Sequence, residues 1–152
     1  APTTLMNIAN VLMDQGKFDE SLAKHQESLE IKIKALGHDH VDVAKTEENM
    51  AIVYRKQGHF DKALEIYKKV LETKCRVFGH DHVDVAKTYK NMGNVLLRQG
   101  DHKKALEYYQ KDLEISIKHL GHDHVDVAKT EENMAIVYRK QGHFDKALEI
   151  YK

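Results

Sequence analysis

The stretch GHDHVDVAKT stands at Gly37–Thr46, again at Gly79–Thr88 and again at Gly121–Thr130. Its histidines and aspartates are metal-binding chemistry, whereas its regular return is structural chemistry. Successive copies lie 42 residues apart. The same interval separates Gly16, Gly58, Gly100 and Gly142, and likewise Gln15, Gln57, Gln99 and Gln141. A longer period overlies it, because Gly37–Lys68 and Gly121–Lys152 are identical over 32 residues. Duplication of a two-repeat block, or deliberate engineering, produces that pattern. Fixed periods in this range mark solenoids, whose units bury their cores only by stacking on one another.

Each unit reads as two helices. The first is expected from about His40 to Gln57, with Val43, Met50, Ala51 and Tyr54 in an apolar stripe that Glu47 interrupts. Gly58 breaks it. The second is expected from Phe60 to Phe78, with Phe60, Ala63, Leu64, Tyr67, Val70, Leu71, Cys75 and Phe78 as its apolar face. Acid–base pairs four apart, Glu30/Lys34, Glu72/Arg76 and Glu114/Lys118, suit an exposed helix surface and support it by about 0.2–0.5 kcal/mol each. No strand pattern is present.

The repeated stretch then reads as punctuation. Gly37, Gly79 and Gly121 follow the last apolar residue of a second helix, where a left-handed glycine commonly ends a helix. Asp39, Asp81 and Asp123 suit the N-cap of the next helix, and Asp42, Asp84 and Asp126 follow like the acidic half of a capping box. A dedicated metal site is not expected, since a structural zinc site needs four fixed ligands and usually cysteine. The pairs His38/His40, His80/His82 and His122/His124 offer only weak, adventitious positions for nickel or zinc.

Composition narrows the function. Lys plus Arg number 24 and Asp plus Glu number 24, so no net charge draws the chain to nucleic acid or anionic lipid. No run of apolar residues is long enough to span a membrane, and no signal peptide is visible. The single Cys75 excludes an internal disulfide framework and suits a reducing, cytoplasmic setting. Its counterparts are Ile33 and Ile117, so it reads as a small hydrophobe. Phosphate-binding loops, dinucleotide fingerprints, HExxH and nucleophile elbows are all missing, so no enzyme activity and no cofactor are expected. The chain opens without Met and stops within an apolar-periodic stretch, as an excerpt of something longer does.

Met50-Ala51-x-x-Tyr54, Gly58 and Ala63-x-x-x-Tyr67 resemble the tetratricopeptide (TPR) pattern, as do Met92-Gly93-x-x-Leu96, Gly100 and Ala105-x-x-x-Tyr109. Ile8-Ala9-x-x-Leu12, Gly16 and Ser21-x-x-x-His25 match more loosely. The TPR repeat usually has about 34 residues, and the longer repeat here is similar to the 42-residue repeats of kinesin light chains. The resemblance implies an all-α, right-handed α-solenoid of about three and a half repeats. One repeat array over residues 1–152 is expected, divided near 1–39, 40–81, 82–123 and 124–152. The sequence departs from the family at its usual Trp position, which holds Leu5, Glu47, Tyr89 and Glu131, and at its usual Pro, replaced by Val41, Val83 and Val125. Asp112 takes a place usually small and buried, and is either partly exposed or paired.

In TPR proteins the first helices line a concave groove that binds extended peptides. Carried onto this sequence, the groove is lined by Asn7 and Asn10, by Lys45, Asn49, Arg55 and Lys56, by Lys87, Lys90, Asn91, Asn94 and Arg98, and by Lys129, Asn133, Arg139 and Lys140. Asn7, Asn49, Asn91 and Asn133 form a ladder, suited either to a peptide backbone or to bonds with the neighbouring repeat. Lys90, Asn94 and Asn133 resemble part of the carboxylate clamp of chaperone-binding TPR domains. The basic lining favours acidic peptides. The expected function is a protein-interaction scaffold that binds such peptides. The alternative is a structural array, an engineered or excised fragment, that stacks head to tail into an open superhelical filament. Nucleic-acid binding is disfavoured, because the lining holds no aromatic stacking platform.

Overall fold

The computed structural model describes residues 2–152, and among them are eight helices and no strand. They are α1 (Pro2–Asp14), α2 (Phe18–Leu36), α3 (Val41–Lys56), α4 (Phe60–Phe78), α5 (Val83–Gln99), α6 (His102–Leu120), α7 (Val125–Lys140) and α8 (Phe144–Tyr151). The fold is an all-α helical repeat of the solenoid class. Two compact units divide the chain, Ala1–Val77 and Phe78–Lys152. No described helix is long and apolar enough to cross a membrane.

The glycines separate the helices in two different ways. Within a repeat, Gly100 takes the left-handed conformation (φ 86°, ψ 8°) after α5, and the Asp101 N–H returns to the Leu96 carbonyl at 2.9 Å. That is the bond pattern by which a glycine closes a helix end. Between repeats, the expected left-handed cap is corrected. Gly37 and Gly121 have positive φ (89° and 85°) but extended ψ (162° and 159°). This region is open to glycine and almost nothing else, so the chain leaves the helix at once instead of curling past its end.

The expected N-caps are also corrected. The caps are His40, His82 and His124, whose Nδ1 atoms accept from the Asp42, Asp84 and Asp126 N–H groups at 3.1, 3.0 and 3.1 Å. The helices begin one residue later than an aspartate cap requires, and an imidazole Nδ1 reaches the second helical N–H as a side-chain oxygen does. The aspartates instead tie the loop to a later helix. Asp81 accepts from Lys118 at 2.6 Å and lies 3.2 Å from His119 Nε2, and the Asp39 carbonyl accepts from Arg76 at 3.3 Å. The hydrogen bond from Lys118 is the main cause of the lowered pKa of Asp81. Lys118 and Arg76 thus reach across to these loops as well as lying four residues from their expected acids.

In the first unit, α2 packs on both α1 and α3. Leu29, Val43 and Met50 form a buried cluster with Leu22, Ile33 and Tyr54 against it. Glu47, which breaks the apolar stripe, turns to Lys69 at 2.8 Å, and neighbouring Thr46 is buried with its hydroxyl accepting from Lys32 Nζ at 2.8 Å. In the second unit, α6 packs on α5 and α7, and α7 on α8. Tyr89, at the family's Trp position, stacks on Tyr108 with ring centroids 6.0 Å apart.

One core position is chemically out of keeping. His25 is fully buried where α4 and α6 carry Tyr67 and Tyr109, and neither ring nitrogen has a hydrogen-bond partner. Burial, and then the charge of Lys32, hold its pKa below 6.5. Protonation therefore favours the unfolded chain. The stability present at neutral pH is lost as pH falls below 6.5 toward the lowered folded value. Urea unfolding of the His25→Tyr variant across that range is expected to show a smaller acid loss than the unaltered chain, and equal losses would contradict this role for His25.

Candidate functional site

The residues expected to bind a ligand fall on four helices in two separate units. In the first unit, Asn7 and Asn10 are exposed on α1; on α3, Lys45 and Lys56 are exposed while Asn49 and Arg55 are half-buried. Beside them on α3, Glu48 is paired with a lysine of α4. Both its carboxylate oxygens lie 3.1 Å from Nζ of Lys74, which is only 2% exposed. A buried ammonium needs such a partner, since unpaired it costs several kcal/mol, roughly.

In the second unit, Lys87 and Arg98 are exposed on α5, with Lys90, Asn91 and Asn94 half-buried beside them. Lys129, Arg139 and Lys140 are exposed on α7, with Asn133 half-buried. Here the structure brings two predicted residues together: Asn133 Nδ2 donates to Asn94 Oδ1 at 3.3 Å. The bond joins α5 to α7, which are neighbours within the second unit. Of the expected ladder, Asn133 therefore reaches diagonally to Asn94. Sequence reasoning missed the third member, Tyr109 of α6, whose hydroxyl donates to the same Asn94 oxygen at 2.6 Å. The signal was present: Gly93-Asn94 stands where the second and fourth repeats have Ala51-Ile52 and Ala135-Ile136.

The expected lining residues divide their charge unevenly between the two pairs of helices. On α5 and α7, Lys87, Lys90, Arg98, Lys129, Arg139 and Lys140 stand among the lining positions with Glu132 as the acid. On α1 and α3, Lys45, Arg55 and Lys56 stand with Asp14 and the neutralised Glu48. The histidines of the loops do not converge. Among the described residues no group of three or more His, Cys, Asp or Glu side chains is placed to hold a metal ion. His40, His82 and His124 already use Nδ1 as cap acceptors, which puts the imidazole proton on Nε2.

Asp112 is buried and paired, which resolves its two expected alternatives. It is 4% exposed, accepts from Ser116 Oγ at 2.7 Å, and lies 2.5 Å from Thr130 Oγ1. Thr130 Oγ1 also lies 3.2 Å from the Asp126 carbonyl, and one hydroxyl hydrogen cannot serve both oxygens. Burial pushes the Asp112 carboxyl up, opposed by the hydrogen bonds of Thr130 and Ser116 and by the Lys90 charge. Thr130 donates to Asp112 Oδ2, the shorter of its two contacts. Cys75 is half-buried, and burial raises its pKa, which makes it a poor nucleophile.

The chain belongs to the tetratricopeptide repeat family, whose model matches residues 1–76, 75–118 and 84–152. The family typically forms non-catalytic scaffolds for protein–protein interaction. Among solved structures, the chain is similar to BtubC (BKLC) from P. vanneervenii, with 24% identity and a TM-score of 0.85. That match covers 98% of this chain and 59% of BtubC, so the chain spans little more than half of that relative. It is also similar to the structure described as "Podosopora anserina putative kinesin light chain nearly identical TPR-like repeats". Identity there is 18%, the TM-score 0.84, and coverage 99% of this chain and 72% of the other. At these identities the likeness is one of fold. No curated protein matches the chain.

The raised Asp112 pKa has a defined sign. The neutral acid is the better-accommodated form, so its stabilisation is present below 3.8 and is lost as pH rises through the folded value. Asp112→Asn, which keeps one acceptor and one donor, is expected to be more stable than the unaltered chain at neutral pH, with the gap closing in acid. Urea midpoints measured across pH check this, and a gap that does not change with pH contradicts it.

Proposed function

We propose that the chain is a protein-interaction scaffold that binds extended acidic peptides on its first helices, principally on α5 and α7. What supports this reading is the six basic residues on α5 and α7, together with Asn94 and Asn133, whose bond across neighbouring repeats leaves Asn94 Nδ2 and Asn133 Oδ1 outside it. Side-chain amides recognise a peptide backbone whatever its sequence, because each carries donors and an acceptor. The surrounding lysines and arginines add charge-assisted bonds and steer acidic segments inward. In the first unit, Asn7, Asn10, Lys45, Asn49, Arg55 and Lys56 are proposed to make the same kinds of contact with less charge.

The test is charge reversal at Lys87 and Lys129, both exposed. Lys90 is left in place because its charge acts on Asp112. The double variant Lys87→Glu/Lys129→Glu is expected to bind an acidic peptide about tenfold or more weakly at low salt, the difference shrinking as salt is added. Unchanged affinity, measured by fluorescence anisotropy, removes this face from the account.

A second reading, end-to-end stacking of copies, is favoured by one observation. Val11 is 56% exposed on α1, and Phe144, Leu148 and Tyr151 are 61%, 60% and 55% exposed on α8. The α8 residues repeat Phe60, Leu64 and Tyr67 of α4, where Tyr67 is fully buried. Sedimentation velocity is expected to show association that grows with concentration, and a monomer throughout excludes stacking.

A further inference from the structure

We infer that Tyr109 is a positioning residue for peptide recognition: its hydroxyl fixes the polarity of the Asn94 and Asn133 amides, so that one donor and one acceptor face the ligand in set places. The inference rests on the peptide reading above and specifies which end of each amide meets the backbone.

Distance decides the polarity. The Tyr109–Asn94 contact is 2.6 Å. That is an O–H···O length, whereas N–H···O bonds cluster near about 2.9–3.0 Å. The phenol therefore donates to Asn94 Oδ1, and the Asn94 amide group turns its Nδ2 away from α6. The same oxygen, with its second lone pair, accepts from Asn133 Nδ2 at 3.3 Å. This leaves Asn94 Nδ2 as a donor and Asn133 Oδ1 as an acceptor, neither used in these bonds. An extended peptide presents alternating C=O and N–H groups that fit one of each.

The arrangement is built once in the chain. A Cβ on Gly93 would lie 2.7 Å from Tyr109 Cε1, so the ring lies flush against the glycine. The other repeats carry Ala9, Ala51 and Ala135 there. Tyr67, the counterpart of Tyr109, lies in the repeat that carries Ile52 in place of Asn94, and its buried hydroxyl has no partner. The first repeat has Asn10 but His25 in place of the tyrosine. Only the third repeat combines glycine, asparagine and tyrosine, so the bond is not a general consequence of helix packing.

The experiment compares the unaltered chain with Tyr109→Phe. The probe is a short fluorescein-labelled peptide of alternating Glu and Ala, together with versions N-methylated at each backbone position in turn. Tyr109→Phe is expected to weaken binding about fivefold, as loss of a neutral hydrogen bond does. One N-methylation that weakens binding to the unaltered chain is expected to lose its effect in the variant, because Asn133 Oδ1 is no longer held in place. A purely structural tyrosine would lower the urea midpoint and leave the N-methylation profile unchanged. Asn94→Ile, the residue of the second and fourth repeats, is expected to give at least the same loss even if Tyr109→Phe folds poorly. Equal affinity and an equal profile in Tyr109→Phe overturn this inference alone. Failure of the unaltered chain to bind the peptide at all overturns the peptide reading and this inference with it.

Discussion

Close approach of paired helices at small residues is the constraint on which the structure depends. Ala9, Ala51, Gly93 and Ala135 occupy one register of the four first helices, and all are buried. Ser21, Ala63, Ala105 and Ala147 occupy one register of the second helices and are buried too. At the first pair the contact is tight enough for Ser21 Oγ to donate to the Ala9 carbonyl at 2.7 Å. Small side chains let helix backbones come near, and the larger residues on either side then interdigitate at ordinary packing density. The aromatic or imidazole ring four residues beyond, at His25, Tyr67 and Tyr109, is buried by that approach.

The junctions between repeats show how one helix sequence serves two neighbours. Helices α3 and α7 are identical in sequence. In the first unit Thr46 accepts from the ammonium of Lys32, and in the second Thr130 meets the carboxyl of Asp112. A hydroxyl is both donor and acceptor, so the same threonine suits a cation on one neighbour and an acid on the other. Both threonines are buried, and an apolar residue there would leave Lys32 or Asp112 without that partner.

The candidate site grows from the same scaffold. Of the nine basic residues expected to line a groove, six stand on α5 and α7. Asn94 belongs both to the core and to the surface. Its oxygen is tied inward to Tyr109 and its amide lies at the half-buried edge of α5. An interaction surface whose polar groups are oriented before binding loses less entropy when a ligand arrives.

The sequence alone determined the period, the helix pairs and the family. These are local properties: apolar spacing near 3.6 residues, and glycines at positive φ where a helix must stop. It pointed to the wrong cap, aspartate instead of histidine, because general cap preferences favour a carboxylate and the helix start lies one residue further on. Tertiary structure decided that Asp112 is buried, that Glu48 neutralises Lys74, and that Asn94 is held by Tyr109 and Asn133. Those bonds join atoms on different helices, 15 and 39 residues apart for the two to Asn94. Such pairings follow from how helices lie against each other, which no spacing along the chain encodes.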